Sequence, residues 1–458
     1  MYYGPSAACI IMSPNMDKKW ALHAAQAVAP SNVEKVYPFL TGVTVTIDAK
    51  LVSAIQVTID APFEEGIAML SEDAGGASPF NTNNLIKVRM GYSDMNLWTP
   101  WWYGQLNAGG DGLTIGPEGV SGTVSAQMRN WQSGYVAENA GAVAATTKEF
   151  LQRIADGMGM KLEVGPVALQ TLDKVDSVRN GQPWASYAKT NMEVLQSICT
   201  SRGMYCTPVY ADDGAPDRLR IYSNSEVSNG DAMAGKKRNM YVMRGQFSPQ
   251  TQQYPILSWG PEEGMASWFG TTARGSNAGI GVRGVNKYTG SIAQIDVNPY
   301  DSEEPIAVGK ATAKGKAQDR SHGQKKLDVA TSDLVKFIGP GGGMLTPEVY
   351  SVPMAAPDDA QAAEDGKQQG VAKMTDGMQA QQATLKSLGV PDQDVLELIE
   401  VRGLSPRYDG PYKVMGATHT FAPGSYDMDL KVIRTGTLGS DEPVQKGTVG
   451  GQVPPNPY

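Results

Sequence analysis

The sequence predicts an α+β fold that is mainly β, with two barrel-type β-regions, an α+β module between them and a helical insertion in the second. Three observations predict it. Apolar residues alternate with polar ones in many short segments, which is the period of a strand with one buried face. A helix–glycine–strand pattern occurs twice near the middle of the chain. A stretch before the last strands loses the alternation and becomes rich in Ala, Gln, Lys and Asp. The chain's 458 residues are enough for about three or four units. Its 52 Gly and 29 Pro fit a fold with many turns.

Residues 1–40 are Pro-punctuated and read as an N-terminal arm with one short helix near Met16–Val28. Alternation begins with Val43, Val45 and Ile47 and resumes with Ile55, Val57 and Ile59, so a first β-domain, a small sandwich or barrel, is expected over 41–140. Its further strands are Leu85–Tyr92, Trp101–Leu106 and Gly122–Met128, separated by Gly-rich turns. Trp98, Trp101 and Trp102 raise a sugar-binding alternative, although aromatic residues beside strands commonly serve as core or interface.

Residues 141–235 form the expected α+β module. Leu151-Gln152-Arg153-Ile154 with Gly159-Met160 recurs 44 residues on, from Leu151 to Leu195, as Leu195-Gln196-Ser197-Ile198 with Gly203-Met204. Thr147 with Glu149, and Thr190 with Glu193, supply capping groups for the two helices. Gly159 and Gly203 stand where a helix ends in a left-handed residue. Strands follow at Lys161–Val164 and Tyr205–Val209, and Arg218–Tyr222 completes the module.

The second β-barrel domain is expected over 236–300 and 390–437, interrupted by a helical or flexible insertion at 301–389. Helices are read at Pro305–Gln318 and Asp358–Leu388, with Val371, Met374, Met378, Leu385 and Leu388 forming an apolar stripe. After Val395–Val401 comes the clearest signal in the chain. Gly410-Pro411-Tyr412-Lys413-Val414-Met415-Gly416-Ala417-Thr418-His419 is answered by Tyr426-Asp427-Met428-Asp429-Leu430-Lys431-Val432-Ile433, with Pro423-Gly424 as the turn between them. Residues 438–458 are a polar, Pro-rich tail.

That hairpin, Gly-x-Tyr-x-Val, a gap, His, then Tyr-x-x-x-Leu-x-Val, resembles the last hairpin of the contractile-tail baseplate hub family, which includes phage late control protein D and the hub portion of type VI secretion spikes. Helix, Leu-Gly-x-Pro (Leu388 to Pro391), strand and hairpin follow one another in that family's order, and the resemblance extends over most of 43–437. Thr190-Asn191 departs from the Ser-Asp helix start that the family carries. Gly410, Tyr412, Val414, His419, Tyr426, Leu430, Gly159 and Gly203 are the positions that carry the family signature, as structural residues.

The resemblance implies two similar tube-type barrels in each chain and a structural role with no enzymatic activity. It implies a homotrimeric hub of a phage contractile tail, adapting the sixfold tail tube to the threefold spike and lining the DNA channel. The implied partners are the tail tube protein, the central spike protein, baseplate wedge proteins and the tape measure protein. DNA passes without specific binding, no membrane is engaged, and the virion's tail baseplate, assembled in the host cytoplasm, is the implied location. A carbohydrate-recognising β-protein of a virion or cell surface is the alternative.

Charge and motif content agree with that expectation. Lys and Arg number 39 against 47 Asp and Glu, a formal net charge of −8, which disfavours a grip on phosphate. Lys236-Lys237-Arg238 reads as a solvated turn. Cys9, Cys199 and Cys206 have no paired spacing, so neither a disulfide framework nor a metal site is expected, and a reduced, intracellular place of synthesis fits. The N-terminus shows no signal-peptide pattern, and no window approaches the ~20 apolar residues of a membrane span. Catalytic residues and cofactors are expected to be none. The only histidines are His23, His322 and His419, and no nucleophile elbow or zinc-protease motif is present. Gly279-x-Gly281-x-x-Gly284 has the spelling of a dinucleotide loop but is followed by Val285-Asn286-Lys287-Tyr288, which does not open a helix. Glu262-Glu263 and Asp301, Glu303 and Glu304 read as solvated turns rather than a glycosidase pair.

Overall fold

The computed structural model describes residues 4–13, 19–23, 35–49, 54–71, 78–81, 84–107, 112–128, 146–169, 204–209, 217–223, 236–261, 280–285, 292–297, 348–351, 382–405 and 408–434, with single positions between 172 and 233. In chain order the first region holds β1 (Pro5–Met12), β2 (Lys19–His23), β3 (Lys35–Tyr37), β4 (Leu40–Asp48), β5 (Ala54–Pro62), helix α1 (Phe63–Leu70), β6 (Leu85–Tyr92), β7 (Leu97–Trp98), β8 (Trp102–Leu106), β9 (Leu113–Gly116) and β10 (Gly119–Met128). The alternation seen in the sequence becomes burial. Val43, Val45 and Ile47 face the core with Ile55, Val57 and Ile59, while Thr44, Thr46, Gln56 and Thr58 face the other way.

The described residues of the first 40 are strands and their flanks rather than an arm with a helix. β1 pairs with β6 on one side and β2 on the other, and Trp20, Ala21 and Leu22 are buried where the helix was expected. Burial against neighbouring strands overrides the helix-favouring Ala and Met content of this segment. Helix α1, which no sequence pattern announced, lies against β5 and β10. Gly66 permits this, because a Cβ there would stand 2.6 Å from Val120 Cγ2.

The middle module opens with α2 (Thr147–Gly157), then β11 (Lys161–Val164), β12 (Met204–Val209) and β13 (Arg218–Ser223). The capping residue is Thr146, one position before the expected Thr147: its hydroxyl accepts from Glu149 N–H at 3.1 Å. Gly159 has φ +70, as a helix-ending glycine should. In the second copy positions 191, 194, 195, 198 and 199 are helical, and Gly203 lies outside the described residues. β13 is the central strand, parallel to β11 and antiparallel to β12.

The last region holds β14 (Asn239–Met243), β15 (Gln253–Pro261), β16 (Ile280–Val285), β17 (Ile292–Val297), β18 (Glu348–Ser351), β19 (Gln382–Leu388), β20 (Leu398–Arg402), β21 (Gly410–Ala422) and β22 (Ser425–Arg434). β14, β15, β19, β22, β21 and β20 close into a six-stranded barrel. β16 and β17 lie outside it, in a separate sheet with β18, so the barrel is interrupted after Pro261 rather than near residue 301. The helix expected over Asp358–Leu388 gives way at its end to β19, where Ala383, Leu385 and Ser387 are buried at every second position. Pro305–Gln318 and residues 358–381 lie outside the described residues.

The two β-regions repeat one strand order. β4-β5-β10-β8-β6 are neighbours in that order, all antiparallel, and so are β15-β19-β22-β21-β20. Each unit is a hairpin whose second strand accepts the last strand of a following three-stranded meander. The two units also share one continuous sheet, because β4 pairs with β21. The second unit closes into a barrel through β14, whereas the described strands of the first form an open sheet extended by β1, β2 and β3.

Candidate functional site

The joint between the two units is built on β21, the longest of the described strands at 13 residues. β22 covers one of its edges from Tyr412 to Ala422. The other edge is divided: Gly410–Lys413 pair with β20 and close the barrel, whereas Gly416–Phe421 pair with β4 of the first unit. A bulge at Met415 marks the change of partner, and the Met415 carbonyl accepts from Ala49 N–H at 2.9 Å. One strand thus belongs to the barrel wall and to the neighbouring sheet at once.

Core residues cross this joint. Phe421 and Val43, direct partners, are 2% and 1% exposed. His419 is fully buried, shares a 2.8 Å hydrogen bond between Nδ1 and the Tyr426 hydroxyl, and packs its ring 5.1 Å from Trp102 of the first unit. Burial pushes its pKa down to about 3, so the ring is neutral near pH 7. Tyr92 on β6 donates to the Gly389 carbonyl at 3.0 Å and lies 5.5 Å from the Tyr426 ring, a second tie between units.

Below the joint lies a buried polar cluster that sequence reasoning missed. Gln393 accepts from Asn239 Nδ2 at 3.0 Å and from the Tyr241 hydroxyl at 3.1 Å, and its own amide donates to Glu397 at 3.1 Å. Lys236 Nζ reaches Glu397 at 2.9 Å. Burial and the nearby Asp394 outweigh Lys236 and raise the Glu397 carboxyl to about 7. Lys413, fully buried on β21, donates to the Tyr205 hydroxyl at 3.0 Å and so fastens the barrel to β12. A cavity of about 220 Å³ opens where all three regions meet, between Trp98, Trp102, Pro208 and Asp392. These partners are scattered from 205 to 413, so no local motif could have signalled them.

Tyr412, Val414, Tyr426 and Leu430 are buried in the barrel. The Tyr412 hydroxyl donates to the Tyr408 carbonyl at 2.8 Å. Gly410 has φ +138 and lies beside the Arg434 guanidinium. Gly159 is in the middle module, away from the joint. The tryptophans expected as core or interface are so placed: Trp101 and Trp102 are buried, Arg89 covers Trp98 and Trp101 at 4.7 and 4.6 Å, and Lys87 stands 4.5 Å from Trp101. Stacking surfaces occupied by cations leave little for a sugar. Lys237 and Arg238 are exposed. Gly281 and Gly284 lie in β16, which pairs antiparallel with β17, so no phosphate-binding loop forms.

Cys9, Cys199 and Cys206 are free and buried, and burial raises the Cys9 and Cys206 thiols. His322, Glu262, Glu263, Asp301, Glu303 and Glu304 lie outside the described residues. Among the described residues no cluster of His, Cys, Asp or Glu has the geometry of a metal site. No helix among them is long and apolar enough to cross a membrane.

On β4, β5, β10, β19, β21 and β22 the face of the joined sheet away from the core is polar. Thr44, Thr46, Thr58, Thr123, Thr418 and Thr420 line it, with Thr46 and Thr418 hydroxyls 3.4 Å apart across the joint. On these strands Asp48, Asp60, Asp427 and Asp429 outnumber Lys386 and Lys431, while Lys87 and Arg89 on β6 add two cations to the same face of the sheet.

No protein-family model matches the sequence, and no curated protein is significantly similar to it. Several solved structures are similar over nearly the whole length. The 43 kDa tail protein of prophage MuSo2 from Shewanella oneidensis is 10% identical, with 94% of this chain and 99% of that one covered and a TM-score of 0.49. A tail protein of Neisseria meningitidis is 9% identical, with 94% and 97% covered and a TM-score of 0.48. The c3393 protein of Escherichia coli, a type VI secretion component, is 6% identical, with 88% and 75% covered and a TM-score of 0.39. These TM-scores are low, and the functional assignment stands on this chain's own strand order and residues.

Proposed function

We propose that this chain is a structural hub of a contractile phage-tail baseplate, a homotrimer that adapts a sixfold tail tube to a threefold spike and lines the DNA channel. The observation that carries the reading is the five-strand unit present twice and joined edge to edge at β4–β21. A chain with two wall units lets three copies offer six positions, which is what a sixfold partner on one side and a threefold partner on the other require. The closing hairpin supports the same reading, because its buried Tyr412, His419, Tyr426 and Leu430 are the residues by which the sequence resembles the hub family.

The tail tube and the central spike are the two axial partners, wedge proteins the peripheral ones, and the tape measure protein the one inside the bore. The Thr-rich face of β4, β5, β10, β21 and β22, which carries Asp48, Asp60, Asp427 and Asp429, is assigned to the channel wall, where these carboxylates repel phosphate and let DNA pass without a specific grip. Permanent assemblies of this kind bury about 2,000 Å² or more per contact. Assembly in the host cytoplasm and residence in the virion's tail baseplate follow from the role.

The test is the native mass of the purified chain, alone and with tube and spike proteins added. Three copies per particle, binding both partners, are expected. A particle with another copy number, or one that binds neither, contradicts the proposal.

A further inference from the structure

The duplication extends to individual residues. In both hairpins the first strand bulges one residue after its pairing with the second begins, at Thr41 in β4 and at Leu257 in β15. Aligning the bulges places Val43, Thr44 and Val45 on Trp259, Gly260 and Pro261, and their partners Val57, Gln56 and Ile55 on Leu385, Thr384 and Ala383. The last strands follow: β5 pairs Val57 with Val124, and β19 pairs Leu385 with Leu430. Val120 then matches Tyr426, whose partners across the hairpin are Ile115 and Phe421. The turns that close the two hairpins, Pro117-Glu118 and Pro423-Gly424, both have two residues and begin with proline. β8 and β9 together are therefore the first unit's version of β21. β8 pairs with β6 as the start of β21 pairs with β20, and β9 stands for the end of β21 that receives β4.

The two equivalent edges have different fates. The end of β21 is covered by β4, but among the described residues β9 pairs with β10 alone. Likewise β4 is paired on both edges, whereas Ser258–Pro261 of β15 pair with β19 only, since β14 reaches no further than Ile256. Exposure follows. Phe421 is 2% exposed, while its counterpart Ile115, pointing to the same core side as the fully buried Val120, is 56% exposed. β9 carries none of the lysines or prolines that blunt a free strand edge.

We infer that β9 of one copy pairs antiparallel with the outer edge of β15 in a second copy, repeating between chains the β4–β21 joint within each chain. The register is fixed by the alignment: Phe421↔Val43 and Thr420↔Thr44 become Ile115↔Trp259 and Thr114↔Gly260, with Leu113 opposite Pro261. Ile115 and Trp259 both lie on the core side of their sheets, so the joint would carry the core from copy to copy as Phe421 and Val43 carry it inside one chain. The two edges differ, so the contact is head-to-tail and closes into a ring when the rotation permits. The pairing rests on the duplicated unit; only the number of copies rests on the proposed hub role.

Cysteines at Thr114 and Gly260 test it. Directly opposed residues in an antiparallel pair have Cα atoms about 4.5–5.5 Å apart, within the range a disulfide spans. Gly260 tolerates a side chain, since a Cβ there meets nothing closer than Thr384 O at 3.8 Å. The native thiols are buried and do not compete. On oxidation of the full-length chain, the Thr114→Cys/Gly260→Cys variant is expected to link between chains, neither single variant should, and Thr114→Cys/Ser258→Cys, out of register, should link far less. Thr44→Cys/Thr420→Cys, the internal equivalent, should link within one chain. Ile115→Lys should weaken self-association roughly tenfold or more with unchanged circular dichroism. Absence of interchain linkage, or equal linkage out of register, overturns the pairing. A three-chain particle that resists linkage overturns the pairing and leaves the hub role standing. Linked rings that bind neither tube nor spike overturn the hub role and leave the pairing standing.

Discussion

Ile115 and Phe421 occupy matching places in two units of identical strand order, yet one is mostly exposed and the other buried. Neither the residue type nor the local pairing accounts for the difference. What differs is the presence of a strand on the far edge: β4 covers Phe421, and no described strand covers Ile115. The comparison teaches that one wall unit is complete within the chain and the other is complete only beside a neighbour.

The widest gap is expected at that pair. Phe421→Ala should cost about 3–5 kcal/mol of chain stability, because it empties a buried site, whereas Ile115→Ala should cost under about 0.5 kcal/mol in the isolated chain. Denaturant unfolding of the two variants at low concentration measures both, and equal losses would break the comparison. At the next matched pair both residues are buried, so both should matter. Leu430→Ala should cost about 2–5 kcal/mol and Val124→Ala about 1–3 kcal/mol, since fewer methyl groups are lost. An unaffected Val124 variant would mean that the first unit lacks a core of its own.

A pH series sharpens the contrast, because the first-unit counterpart of His419 is the uncharged Leu113. The His419 pKa is depressed on folding, so its contribution is present above the unfolded value near 6.5 and is lost as pH falls towards about 3. Wild-type stability should therefore drop through this window, and His419→Gln should flatten the drop. Glu397 acts in the opposite sense: raised to about 7, it contributes below about 4.5 and loses that contribution as pH rises through 7. Glu397→Gln should accordingly steepen the acid loss. A modest effect is expected at Gly159, where φ is +70 and no atom lies near an added Cβ, so Gly159→Ala should cost only the backbone strain, about 1–2 kcal/mol by thermal unfolding.

Strands with one buried face were legible in the sequence. Leu85–Tyr92, Lys161–Val164 and the closing hairpin stand where alternation and turn residues placed them. Two strands were read as helix. Lys19–His23 sits among Ala and Met, and Gln382–Leu388 follows Met374 and Met378 at helical spacing, so local propensity pointed one way and the neighbouring strands decided otherwise. The joint was not legible at all. Its members match in position but not in kind, Tyr426 with Val120, Val414 with Leu106, Phe421 with Ile115, and only the paired strands reveal the match. His419 was read correctly as a core histidine, but its contact with Trp102 joins residues more than three hundred positions apart and leaves no local trace.

A reconstruction of the assembled particle, computed without imposed symmetry, tests the duplicated wall most directly. The β4–β10 and β15–β22 units of three chains should occupy alternate places in a six-membered ring, with the same joint between every pair of neighbours. Units that face different directions, or a ring in which only one of the two contributes to the wall, would contradict the account.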